Sequence, residues 1–291
     1  MHRCPPAARR LHTTPARTTR FYKHVGVRET QEGLQVLLDS RPVRTPAQAA
    51  LTLPASKPQL ATAIALEWDR LQSAQQALKT HYLPLTSLAA RALDMARADA
   101  HGEPRVRRDV LALLMRCLAT DTLLCWAPAH VLNDHRRHGQ TLRQLQMATA
   151  TPILAHLTTH VWPGLAIRPI LAPDSILPVE QDDATKHAIR AWLAALPAFE
   201  LAGLERAVLA SKSLLVGVRL IHEWGEAFAP SREPADAGRF GIDAAAEACS
   251  LEVRWQTSQW GEVEDTHDVD TEDVRRQLGS AVLLVSGDSC R

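Results

Sequence analysis

The sequence predicts an α+β fold: a small antiparallel β-rich unit at the N-terminus followed by a larger all-α region. Two observations lead there. Apolar residues alternate at period two from Phe21 to about Leu53 and then switch to helical spacing from Pro54 onward. No stretch is long and apolar enough to read as a membrane span, since residues 144–167 contain Pro152 and Pro163.

In the first unit, FYKHVGVRE places Phe21, Lys23, Val25 and Val27 on one face and Tyr22, His24, Gly26 and Arg28 on the other. A turn at Thr30–Gly33 leads to LQVLLD, and Asp39-Ser40 turns into RPVRTP. Leu51–Leu53 closes what reads as an antiparallel meander.

The helical region begins at Ser56, whose spacing to Gln59 is that of a capping box, with Leu60, Ile64, Trp68 and Leu71 on one face. A second helix follows Pro84 with Leu85, Leu88, Ala92 and Met95 inward. A third runs from Val106 to Trp126, with Arg105, Arg107 and Arg108 at its start. Residues 127–180 hold six prolines, and a helix is expected only around 140–158. Beyond them, Asp182 or Asp183 caps a helix ending at Pro197, and FELAGLERAVLA and SKSLLVGVRLIHEW read as two more, the second apolar enough to be central. Asp243 is expected to cap a helix ended by Gly261, and Asp270 a last one carrying Val274, Leu278 and Val282. The domains so predicted are residues 20–54, with a helix over 56–74 packed on them, and residues 82–285.

Charge is uneven. No acid precedes Glu29, yet Arg3, Arg9, Arg10, Arg17 and Arg20 fall there among threonines, the composition of a mitochondrial transit peptide over residues 1–19. Without it, 29 basic side chains face 32 acidic ones, which argues against general nucleic-acid binding through Arg105–Arg108 and Arg136-Arg137. The five cysteines show no metal or redox spacing and fit a reducing compartment. Cys117 and Cys125, read as lying on one helix, are about 12 Å apart, too far for a disulfide.

The chain holds no phosphate-binding glycine loop, no GxSxG and no HExxH. What stands out is WGEVEDTHDVDTED at 260–273, with seven carboxylates between Glu262 and Asp273. An EF-hand reading fails, because Asp273 occupies the glycine position. A metal-dependent hydrolase using His267 and Asp268 needs further ligands, for which His81, His156, His160, His187 and His222 are available without ligand spacing. A helix start explains Asp270, Glu272 and Asp273 well. The other four acids, beside Trp260, fit docking to a basic protein surface.

Several segments in order resemble the mitochondrial F(1)-ATP synthase assembly factor 2 family: RFYKHVGV (20–27), VLLDSRPVRTPA (36–47), LTLP (51–54), AIALEWDRLQ (63–72), LPLTSLAARALD (83–94), ATDTLLCWAP (119–128), KSLLVGVRL (212–220) and WGEVEDTHDVD (260–270). Residues 130–175 match poorly, and Ser40 stands where the family usually has glycine in the Asp-Gly turn, which makes a positive φ there costlier. The resemblance implies a non-enzymatic chaperone in the mitochondrial matrix, without cofactor or metal and monomeric when free. Its implied client is the free alpha subunit, bound until the beta subunit replaces it. With such a client, the acidic run is expected to supply contacts at Trp260, Glu262, Glu264, Asp265, Asp268 and Asp270, with Trp68 as a further aromatic contact.

Overall fold

A computed structural model describes residues 19–128, 140–170, 178–231, 238–261 and 267–288. In its first unit, strands β1 (Val25–Thr30) and β2 (Gly33–Leu38) form an antiparallel hairpin with Val27 opposite Val36 and Thr30 opposite Gly33. Gly33 has φ +134°, and a Cβ there would stand 2.1 Å from the Leu53 carbonyl oxygen, so no side chain fits. The short strands β3 (Arg41–Pro42) and β4 (Thr52–Leu53) both pair with β2, at Leu38↔Arg41 and Leu34↔Leu53. The expected meander is thus modified: β4 returns to β2 instead of adding to β3, because Thr45–Gln48 reverses the chain and Leu51 N–H bonds back to Val43. The strained residue of the β2–β3 turn is Asp39 (φ 55°), not Ser40. Its carboxylate accepts from the N–H groups of Lys23 and His24, across the hairpin, at 3.0 and 2.9 Å, which holds in place a residue type that enters the left-handed region more readily than most.

Helix α1 (Pro58–Asp69) covers this sheet with Leu60, Ala61, Ile64 and Trp68. It stops at Asp69, short of residue 74, and its start is not a capping box. The Ser56 hydroxyl donates instead to Glu226, and the Gln59 amide to Asp288. Helix α2 (Pro84–Ala100) has no cap of its own. The Glu67 carboxylate of α1 accepts from Leu85 N–H (2.6 Å), Thr86 N–H (2.9 Å) and the Thr86 hydroxyl, satisfying its first turn. Segments 63–72 and 83–94 are therefore matched to each other by contact.

The helical region continues with α3 (Arg105–Ala119), α4 (Leu142–His156), α5 (Asp183–Ala195), α6 (Ala198–Ser211) and α7 (Leu214–Trp224), then α8 (Ile242–Trp260) and α9 (His267–Val285). A π-helical turn, Leu157–Val161, prolongs α4. The third helix ends at Ala119, seven residues before the expected stop, because Asp121 turns the chain. Its fully buried carboxylate accepts from Leu123 N–H (3.0 Å), the Ser213 hydroxyl (2.6 Å) and Leu215 N–H (3.0 Å). Asp121 thus satisfies the start of α7, and segments 119–128 and 212–220 meet there. Cys117 and Cys125 accordingly do not share a helix, and both are free thiols.

Two apolar cores result. One joins Val36, Leu51, Leu53, Leu60, Ile64 and Leu88, and takes in Ala202 and Leu284. The other is built on α3, α5, α6, α7 and α9, with Leu114, Leu193, Leu204, Leu220 and Leu278. Helix α2 serves both, since Leu88 and Ala92 enter the first and Met95 the second. Across the seam Lys57, 2% exposed, donates to the carbonyls of Val285 and Ser286 (3.2 and 3.1 Å). It also pairs with Glu226 at 3.2 Å and lies over the Phe199 ring. A cation at a helix C-terminus is favourably placed. Here it ties the first unit to the end of α9.

Candidate functional site

Gly261 ends α8 with φ 88° and ψ 160°, an extended positive-φ conformation that favours glycine, and α9 starts at His267 rather than after Asp270. Asp270, Glu272 and Asp273 therefore lie inside the first two turns of α9. There the helix dipole favours them, and Arg276 and Gln277 donate to Asp273. Those two bonds hold the Asp273 carboxyl below its usual range. Arg275 bridges Glu272 (2.9 Å) to Asp243 (3.1 Å). Asp243 is in the first turn of α8 and not its cap, a place held by Gly241.

Asp270 is exposed and lines a groove of about 540 Å³ between the end of α6, the middle of α8 and the start of α9. Leu209 and Val253, 51% and 49% exposed, stand in its wall. Glu252 and Asp273 join Asp270, and Lys212 is the facing ammonium. The α6–α7 turn that presents Lys212 is left-handed at that residue (φ 55°) and pinned by Thr122 N–H on its carbonyl. Cys249 lies in the same wall, its thiol pushed up by burial.

The expected contact residues fall out unequally. Asp270 faces the groove. Trp260 ends α8 and Asp268 belongs to the first turn of α9, but their side chains lie outside the described ones, as do residues Glu262, Glu264 and Asp265 entirely. Trp68 lies in the first core. The residue is 9% exposed, its Nε1–H donates to the Thr86 hydroxyl (3.1 Å), and its carbonyl accepts from Tyr22. Leu209, Val253 and Lys212 were missed by the sequence reading. The signal was available for Val253, an apolar residue between the acidic and basic Glu252 and Arg254 on the helix expected to end at Gly261.

His267 and Asp268, on which the metal alternative turns, have side chains outside the described ones; among the described residues no three His, Cys, Asp or Glu groups gather to hold an ion. His81 and His187 are exposed, while His156 and His222 meet between α4 and α7 with ring nitrogens 3.1 Å apart. Burial, then the nearby Arg219, push His156 down to about 3. In the basic start of α3, Arg107 is consumed by Asp99 and by the carbonyls of Ala194 and Leu196. Arg136 and Arg137 lie outside the described residues.

The fold is α+β, and its groove sets exposed apolar side chains beside charged ones, the mixture found at protein–protein contact surfaces. A family model described as ATP12 chaperone protein matches residues 19–158. Protein ATP12, mitochondrial, of Saccharomyces cerevisiae is 31% identical over 289 residues, 93% of this chain and 86% of that protein. Protein atp12, mitochondrial, of Schizosaccharomyces pombe is 29% identical over 266 residues, 91% and 81%. The crystal structure of Atp12 from Paracoccus denitrificans shares the fold with a TM-score of 0.65 at 24% identity, covering 94% of this chain and 99% of that one. The chain belongs to the ATP12 chaperone family, the ATP synthase assembly chaperones that its ordered segments resemble.

Proposed function

We propose that the protein binds the free alpha subunit of the mitochondrial F(1)-ATP synthase in the matrix and shields its beta-binding interface until the ring assembles. It does so as a monomer and without catalysis. What carries the reading is family membership over nearly the whole chain, joined to ordered segments that fold onto one another.

The physics is that of a cover. An unassembled ring subunit exposes an apolar interface prone to aggregation. A partner that occupies that face and later yields it needs complementary surface and no bond chemistry. The acidic connection between α8 and α9, with Glu262, Glu264 and Asp265, and the first turn of α9, with Asp268 and Asp270, supply the anionic part, with Trp260 as the aromatic anchor.

Replacing Glu264 and Asp265 together by lysine tests this. Capture of purified alpha subunit is expected to weaken at least tenfold while the melting temperature of the chaperone stays unchanged. Undiminished capture removes these acids from the interface.

A further inference from the structure

The groove beside Asp270 is walled by elements far apart in the chain. Leu209 stands on the last turn of α6, Cys249 and Val253 on α8, and Asp270 and Val274 on α9. A single exposed aliphatic side chain on a surface needs no explanation. Leu209 and Val253, each about half exposed, differ because they come from different helices and line the same concavity of about 540 Å³. An apolar side chain from a partner would displace water from both at once, which is the elementary gain of contact between proteins. The lining around them is compatible with such a guest. Ala210 and Ala248 are small, and burial raises the proton affinity of the Cys249 thiol and keeps it neutral.

The charged groups of the groove do not cancel. Asp273 is taken up by Arg276 and Gln277, and Arg254 lies 3.7 Å from Glu247 on its own helix. Glu252 and Asp270 are exposed, and Glu252 accepts a neutral amide from Gln256 at 3.3 Å. Against these two carboxylates stands the ammonium of Lys212, so the lining is anionic among the described side chains. A partner segment matched to it brings a cation together with its apolar group. The backbone also sets where Lys212 begins. It holds, at φ 55°, the left-handed place at which helices commonly end in glycine, and its carbonyl accepts from Thr122 N–H. This roots the lysine at the α6 end and leaves Glu252 of α8 and Asp270 of α9 to meet the incoming cation.

We propose that this groove seats one aliphatic side chain of the client, carried next to a basic residue. Leu209 and Val253 close on the apolar group, and Glu252 and Asp270 hold the cation. The proposal rests on the reading of the protein as the alpha-subunit chaperone. It extends the anionic contact surface from Asp270 across α8 to α6 and adds an apolar anchor, the kind of contact in which binding energy concentrates.

The test uses the full chain carrying Val253→Cys, treated with a maleimide alone and after mixing with purified alpha subunit, the modified position being read by peptide mass spectrometry. The introduced thiol is expected to react at least tenfold more slowly in the complex. Leu209→Lys should weaken capture at least tenfold, whereas Leu209→Met, which keeps the wall apolar, should capture as the parent does; both positions are exposed, and the melting temperatures should not change. A complex in which the Val253→Cys thiol reacts as fast as in the free protein overturns the proposal, as does full capture by a Leu209→Lys protein that melts normally. Labelling of the chaperone alone that slows as its concentration rises would make a second copy the occupant and overturn it as well. If the unaltered protein forms no complex with alpha subunit, the client reading has failed and the proposal falls with it, an outcome distinct from a complex that forms and leaves the groove open.

Discussion

Asp121 shows how one residue can shape a fold and carry a pH signature. Burial pushes its carboxyl up to about 6, against an ordinary value of 3.8, while four hydrogen bonds oppose the shift. Between those values the folded protein binds the extra proton, so this group lowers stability as pH rises from about 4 to about 6, and the loss persists above. In Asp121→Asn that slope should flatten, and urea titrations at fixed pH measure it. The amide would also set an N–H against a donor, at a cost of about 1–3 kcal/mol at pH 7. A variant as stable as the parent, with the slope intact, refutes the assignment. Trp68 belongs to the same scale. Trp68→Ala should cost about 3–5 kcal/mol through the cavity it leaves. Capture by the folded fraction of that variant should be normal, whereas an unaltered melting temperature with lost capture would return Trp68 to the interface.

Among the elements, α9 is held at both ends by different means. Its start is exposed and carries ion pairs that solvent screens, so Arg275→Ala should change stability by less than about 1 kcal/mol. Its end is gripped by Lys57, whose removal leaves Glu226 and two carbonyls without their cation. Lys57→Met is therefore expected to be the costlier change and to speed amide exchange over the last turn of α9 relative to its first. Equal exchange at both ends would show that the latch holds nothing. These contacts also explain what the sequence could disclose. Period-two and helical spacing are local, and they located β1, β2 and all the later helices near their observed places. Ser56 and Gln59 have the spacing of a cap, but Glu226 and Asp288 claim them from far along the chain. The end of α3 was missed for the same reason, because the partners of Asp121 lie some ninety residues away. Likewise the β4 pairing depends on a reversal at Thr45–Gln48 that no alternation pattern records.

At the scale of the whole molecule, the sequence shows the acidic run but not the groove that Asp270 and Asp273 of that run line. Seven acids in twelve positions announce themselves in a linear reading. Leu209, Lys212 and Val253 do not, since only the packing of α6, α8 and α9 brings their separate stretches of chain to one groove. The central claim is that this molecule holds the free alpha subunit, and one measurement addresses it directly: affinity capture from a mitochondrial matrix extract depleted of beta subunit, followed by release on adding beta subunit back. Enrichment of alpha subunit, and its loss when beta subunit returns, is the predicted result. An eluate without alpha subunit, or alpha subunit that beta subunit fails to displace, contradicts it.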